Sequence, residues 1–336
     1  MIDNVKRHAG GSRQVRMSRN SQHRGLLFSM FTTGVLGAGV VSGTFVLEGP
    51  APAADGIASL AATPEFGRRL LRETAAYLGP DQEDPDKRYT GSHMACASCH
   101  LEIGTKPGTL SLLPTKERYP RFSGRDGRTG DLRDRINGCM QRSMNGRRLP
   151  RDSVEMIAME AYILSLGEQF AAMGESRRAP TEQPAFSEPD RAASPVAGQV
   201  VYAQRCQVCH GEDGSGLRAT HDPSDGYLFP PLWGPGSFNN GAGMNRVLTA
   251  ARFIKARMPF GAAELTDDEA YDVAAYINSQ PRPEMSGLEN DYADRTLKPV
   301  DSPYPPYADP FPREQHRFGP FRPIREYYER LAAESR

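Results

Sequence analysis

Four of the five cysteines in this 336-residue chain fall into two copies of one short pattern, Cys96-Ala-Ser-Cys99-His100 and Cys206-Gln-Val-Cys209-His210. This pattern constrains the fold more than composition does. Paired thiols at this spacing add across the two vinyl groups of a haem, and the histidine that follows presents its imidazole to the iron from one face. A redox Cys-x-x-Cys, or half a zinc site, gives no reason for that histidine. Two covalent haem c groups therefore fill the interiors, and 38% hydrophobic residues suffices for two modest domains around them. Five cysteines are too few for a disulfide-stapled scaffold of this length. Lys plus Arg and Asp plus Glu each total 41, so the basic excess of a nucleic-acid binder is absent.

Covalent haem implies export, and the N-terminus agrees. Residues 1–54 carry six basic and two acidic side chains, and the 22 residues from Leu26 to Leu47 are uncharged and mostly apolar. The small-residue run Ala51-Pro52-Ala53-Ala54 follows, so the segment reads as a signal cleaved near Ala53 or Ala54. The apolar stretch is also long enough for an uncleaved membrane anchor. Either way the folded part is periplasmic. Without 1–54, 35 basic and 39 acidic side chains remain.

The surroundings of the two motifs repeat. Pro64 opens a helix carrying Gly67, Leu70, Leu71 and Tyr77, and Ser153 caps a helix through Tyr162 that ends at Gly167. In the second half, Gly198, Val201, Tyr202 and Arg205 lie on a helix leading into Cys206. Thr266 and Glu269 form a capping box for a helix through Tyr276, stopped by Pro281. Each half reads as helix, haem motif, long loop, helix. The fold class is all-α, with two tandem class I cytochrome c-like domains whose first and last helices cross at Gly67–Tyr162 and Gly198–Tyr276. The expected organisation is a signal or anchor at 1–54, a first haem domain at 55–173 and a linker at 174–195. A second haem domain at 196–285 and an extended Pro- and aromatic-rich C-terminal strap at 286–336, whose aromatics favour packing across both domains over free disorder, complete it.

The distal iron ligands are the next question. In the second domain Met258, on the loop before Thr266, is the candidate opposite His210, with Met244 its nearest rival. The first domain has no histidine between His100 and Ser153, which leaves Cys139, Met140 and Met144. Comparing the repeats favours Met144, which precedes Tyr162 by 18 residues, as Met258 precedes Tyr276. An unpaired thiol in an exported protein needs its own reason: it is either an iron ligand or a buried small hydrophobe. Charge favours a reactive role. From Lys116 to Arg151 eleven basic side chains face four acidic ones, and arginine both lowers a thiol pKa and binds oxyanions through forked hydrogen bonds.

On these residues the sequence resembles the dihaem thiosulfate dehydrogenases, the tetrathionate-forming (TsdA-type) cytochromes. The resemblance is carried by Arg135-Ile-Asn-Gly-Cys139-Met-Gln-Arg-Ser143-Met-Asn-Gly146. A second carrying segment is the tail from Tyr307-Ala-Asp-Pro-Phe311 through Glu314-Gln-His316 to Gly319-Pro-Phe321. It implies that Cys139 is the distal ligand of the first haem opposite His100, with Arg125, Arg135 and Ser143 binding substrate there. It also implies oxidation of two thiosulfates to tetrathionate, with electrons leaving through the second haem, held by His210 and Met258. The acceptor would be a soluble or membrane-bound cytochrome or another redox protein. Some relatives carry a lysine just before the distal methionine; Arg257 stands here and does not ligate. Two other readings stay open, a non-enzymatic dihaem electron carrier and a SoxA-like sulfur-conjugating cytochrome. His93 and His316 read as surface or hydrogen-bonding groups.

Overall fold

The computed structural model describes residues 62–173 and 186–334. The expected signal segment, with its cleavage site, and residues 174–185 of the expected linker lie outside the described residues. Among the described residues no helix is long and apolar enough to cross a membrane.

The first lobe begins with α1 (Pro64–Arg72), capped by Thr63, whose hydroxyl oxygen accepts the Phe66 N–H at 3.2 Å. The single helix expected to run through Tyr77 breaks at Glu73, and α2 (Thr74–Leu78) follows. Thr74 explains the break. Its hydroxyl donates back to the Leu70 carbonyl at 2.7 Å and accepts the Cys96 N–H at 3.1 Å, which turns the chain toward the first haem motif. A long loop then carries a small antiparallel hairpin, β1 (Arg121–Ser123) against β2 (Arg128–Gly130), with Phe122 opposite Thr129. Next comes α3 (Leu132–Arg142), opened by a reciprocal capping box between Asp131 and Asp134.

The lobe closes with α4 (Val154–Ala172), capped by Ser153 as the sequence predicts. This helix does not stop at Gly167. A Cβ there would lie 2.4 Å from the Lys116 Cβ, so the glycine admits a close approach of chain and does not end the helix.

The second lobe repeats the plan. Ser194 caps α5 (Pro195–Arg205), which leads into α6 (Gln207–His210) and the second motif. A second hairpin, β3 (Leu217–Arg218) with β4 (Tyr227–Phe229), precedes α7 (Val247–Arg257). The Thr266–Glu269 box opens α8 (Asp267–Ser279). The helical framework is thus accompanied by two short hairpins that the all-α reading did not include.

Both predicted crossings are present. A Cβ on Gly67 would sit 2.0 Å from the Ala158 carbonyl oxygen and 2.8 Å from the Tyr162 Cβ; one on Gly198 would sit 1.9 Å from the Asp272 oxygen and 2.9 Å from the Tyr276 Cβ. Only glycine lets these helices pack so closely. Phe66, Leu70, Met156 and Met159 anchor the first core, and Val247, Ala251, Val273 and Ala274 the second. The lobes are joined, because Phe238 and Ala242 of the second half belong to the first core and Met244 packs on both.

Residues 186–194 are tied to the second lobe: Phe186 packs on its core, and Arg191 pairs with Asp268 and Asp272. The tail corrects one expectation. It runs as a strap with single turns at Leu288–Asn290 and Arg295–Leu297 only as far as Pro312. Two helices follow, α9 (Arg313–Phe318) and α10 (Arg322–Glu334), where proline becomes sparse and strong helix formers take over. Phe318, Phe321 and Ile324 complete the second core, while Asp291 pairs with Arg142 of α3, so the tail binds both lobes.

Candidate functional site

The histidines of the two motifs are fixed in the same way. His100 Nδ1 lies 2.7 Å from the Leu110 carbonyl and His210 Nδ1 lies 2.8 Å from the Pro230 carbonyl. A carbonyl only accepts, so Nδ1 carries the proton in each ring and Nε2 keeps its lone pair for a metal. None of the five cysteines is in a disulfide. Burial pushes the attachment thiols up, Cys96 to about 11, Cys99 to about 12 and Cys206 to about 11, as suits groups awaiting conversion to thioethers. The donor set and the bare Nε2 atoms fit haem c in both lobes.

Cys139 behaves oppositely. It is half-buried, and the protein packed around it disfavours its thiolate, yet its pKa falls to about 7. Arg135 contributes most to the fall and Arg125 adds to it, while the neighbouring His100 ring contributes only in its protonated form. The same thiol in turn raises the Arg135 pKa. Cys139 also interacts with Cys96 and Cys99, so the fifth cysteine shares the crevice of the first motif.

Helix geometry explains the convergence. Arg135 and Cys139 lie one turn apart on α3 and Ser143, its cap, one turn further, so the three share one face of the helix. Ile136, Asn137 and Met140 are buried. Asn137 locks the helix by donating to the Leu149 carbonyl at 3.0 Å and accepting the Leu149 N–H at 2.7 Å. Ser143 is the C-terminal cap, and its N–H donates to the Cys139 carbonyl. Arg125 arrives from elsewhere, the tip of the β1–β2 hairpin. Burial opposes its charge, but Tyr292, Tyr304 and Asp291 more than compensate, raising its pKa.

The basic run as a whole does not surround the thiol. Arg128, Arg148 and Arg151 pair with Asp134, Arg133 with Glu160, Arg142 with Asp291 and Lys116 with Glu168. The arginines of the run that act on Cys139 are Arg135 and Arg125.

The remaining candidates fall into place around this. Met144 is buried in the first core just past the end of α3, and Met258 is half-buried on the second core just past the end of α7. Arg257 reaches the Pro107 carbonyl of the first lobe. His93 bonds Asp81 at 2.6 Å and Arg218 at 3.3 Å, a hydrogen-bonding role as predicted. His316 is buried, not a surface group. It sits between the Val300 carbonyl and Asp309, stacked on Tyr307 with 3.6 Å between ring centroids. The tail motif around it is therefore a structural latch. The sequence reading expects the strap to pack across both lobes but does not single out Asp291, Tyr292 or Tyr304 as site neighbours, since composition does not give their partners.

Residues 86–170 match the family described as SoxA/TsdA, cytochrome c domain, and residues 193–277 match the family described as cytochrome c oxidase, cbb3-type, subunit III. The thiosulfate dehydrogenase of Allochromatium vinosum is 44% identical over 224 residues, covering 65% of this chain and 77% of that protein. The thiosulfate dehydrogenase of Stutzerimonas stutzeri is 37% identical over 238 residues, covering 68% of this chain and 71% of that protein. In structure the chain is similar to the as-isolated form of a thiosulfate dehydrogenase (TsdBA) from Marichromatium purpuratum, with a TM-score of 0.58 and 32% identity. That match covers 70% of this chain and 50% of the other. With two cytochrome c domains and these identities over most of its relatives' length, the chain belongs to the thiosulfate dehydrogenase family of c-type cytochromes, with two covalently bound haem c groups.

Proposed function

We propose that the protein oxidises two thiosulfates to tetrathionate at Cys139, in the periplasm after export by its N-terminal segment. The observation that carries this reading is the thiol itself: the fifth cysteine shares the crevice of the first haem motif, and Arg135 and Arg125 favour its thiolate there. An electron carrier has no use for such a group.

Cys96, Cys99 and His100 would hold the first haem, with Cys139 as the distal ligand; Cys206, Cys209, His210 and Met258 would hold the second. When bound, the haems supply two one-electron acceptors and pass the electrons on to an external redox protein. The chain's own residues do the rest. Arg135 and Arg125 draw thiosulfate to Cys139 and offset the repulsion between two dianions that must meet sulfur to sulfur. Ser143 donates to a sulfonate oxygen. The outer sulfur of the first thiosulfate and the Cys139 thiolate sulfur form a bond as two electrons leave, giving a cysteine S-thiosulfonate. The outer sulfur of a second thiosulfate then attacks the sulfur of that conjugate that came from the first. The Cys139 thiolate departs and tetrathionate is released. Charge balances, and the reverse reaction, tetrathionate reduction, uses the same groups.

The test is thiosulfate-dependent ferricyanide reduction by haem-loaded protein, with tetrathionate quantified, beside Cys139→Gly. Turnover in the wild type and its loss in the variant, with both haems retained, is the expected result. No tetrathionate from the wild type, or equal rates in both proteins, would return the chain to the electron-carrier reading.

A further inference from the structure

The tail that follows the second lobe returns to the first and places a carboxylate between Arg125, one of the two arginines assigned to thiosulfate, and Arg142 of α3. We infer that Asp291 is a positioning residue for substrate, holding Arg125 at the first-lobe site by tying it to Arg142; this rests on the thiosulfate reading above.

Asp291 is 8% exposed, so its charge must be satisfied from within the protein. Its Oδ1 accepts from Arg142 Nη2 at 2.8 Å. Its Oδ2 accepts from the Tyr304 hydroxyl at 2.8 Å and lies 3.6 Å from Arg125 Nε. One carboxylate thus spans two arginines, Arg142 on α3 just beyond Cys139 and Arg125 at the hairpin tip. The Arg128–Asp134 pair already ties strand β2 of the hairpin to α3 at 3.0 Å; Asp291 ties its tip, where Arg125 sits.

The backbone shows that this contact is specified. Tyr292 has φ +60°, a left-handed conformation that an aromatic residue keeps only when its surroundings hold it there. Here the Tyr292 N–H donates to the Arg125 carbonyl at 2.9 Å, and its ring centroid lies 5.7 Å from the Arg125 guanidinium carbon. Arg125 is therefore gripped by backbone, ring and carboxylate together. Its Nε is buried and faces Asp291 Oδ2 at 3.6 Å, an ion pair just beyond hydrogen-bond length, so this carboxylate offsets its charge.

The sign of the effect separates positioning from simple charge. Removing a carboxylate beside an anion site should tighten thiosulfate binding if only net charge matters. Positioning demands the opposite. The experiment compares wild type, Asp291→Asn, Asp291→Glu and Tyr304→Phe in ferricyanide-coupled turnover, with haem content checked. Equilibrium dialysis with labelled thiosulfate gives the affinity without turnover. Asp291→Asn should raise KM and the dissociation constant about tenfold with kcat changed less than threefold, since the binding lost is common to the ground and transition states. Asp291→Glu should recover part of the loss. Tyr304→Phe keeps every charge and should raise both constants about threefold, which decides the matter if Asp291→Asn fails to hold haem. An unchanged or lowered constant in Asp291→Asn, or an unchanged one in Tyr304→Phe, overturns the inference. A wild type that binds thiosulfate but does not turn it over refutes the proposed function instead, and the dialysis series still judges Asp291.

Discussion

The two lobes share a frame and differ at one place. In each, a capped N-terminal helix crosses the last helix at a glycine, and the motif histidine donates Nδ1–H to a loop carbonyl. The difference lies on the distal side. In the second lobe Met258 stands just past the end of α7, with no charged group shown acting on it. In the first lobe the matching position past α3 holds Met144, buried in the core, while the thiol one turn earlier meets His100 and two arginines. The frame serves the haem and tolerates duplication; chemistry was added by one helix turn and a hairpin tip. We propose that one lobe is thiolate-bearing and catalytic and the other methionine-bearing and conductive.

The strongest way to break this comparison is to disarm the first lobe without touching its thiol. Arg135→Ala removes the main charge acting on Cys139 and should lower kcat/KM for thiosulfate by about 10²–10³-fold, the scale of losing one preorganised charge donor. An effect below about threefold would show that the arginine setting is incidental. A thiol-reactivity profile should move with it: Cys139 in the haem-free chain titrates near 7, and Arg135→Ala should shift its alkylation curve to higher pH.

A second test asks whether the frames are independent of the chemistry. Gly198→Ala forces a Cβ to within 1.9 Å of the Asp272 carbonyl oxygen and should cost about 3 kcal/mol in the second lobe, seen as a lowered melting temperature. The near-infrared features of the first lobe should stay unchanged. Loss of both lobes together would mean that they fold as one unit.

The smallest effect concerns acid stability. Asp134 caps the helix that carries Cys139, and Arg128 holds its pKa down at about 2 against the opposing cost of burial. A depressed carboxylate pKa stabilises above its unfolded value near 4 and loses that contribution as pH falls toward 2. Asp134→Asn should therefore cost about 1 kcal/mol at neutral pH, discounted for solvent screening, with the gap closing near pH 2. A gap that persists at pH 2 would assign the cost to packing, not charge.

Much of this was legible in the sequence because it is local. The haem motifs, the caps at Ser153 and Thr266 and the helix-crossing glycines depend on near neighbours or on a repeated spacing. What stayed hidden is long-range. Gly167 looked like a helix stop because the approach of Lys116 cannot be read from spacing. The break before Thr74 depends on its bond to Cys96. The spread of arginines looked like one field around a thiol, whereas most of them are neutralised by acids that the fold brings in. Asp291 lies in a tail whose aromatics suggest a strap across both lobes, but composition does not say which of its residues meets an arginine. The resemblance supplied Arg125, which no local pattern singles out from its neighbours.

The measurement that tests the two-lobe account most directly is the near-infrared absorption of the ferric, haem-loaded protein in wild type, Cys139→Gly and Met258→Gly. The account predicts thiolate and methionine ligand features together in the wild type, the first lost only in Cys139→Gly and the second only in Met258→Gly. A thiolate feature that is absent from the wild type, or that survives Cys139→Gly, would contradict it.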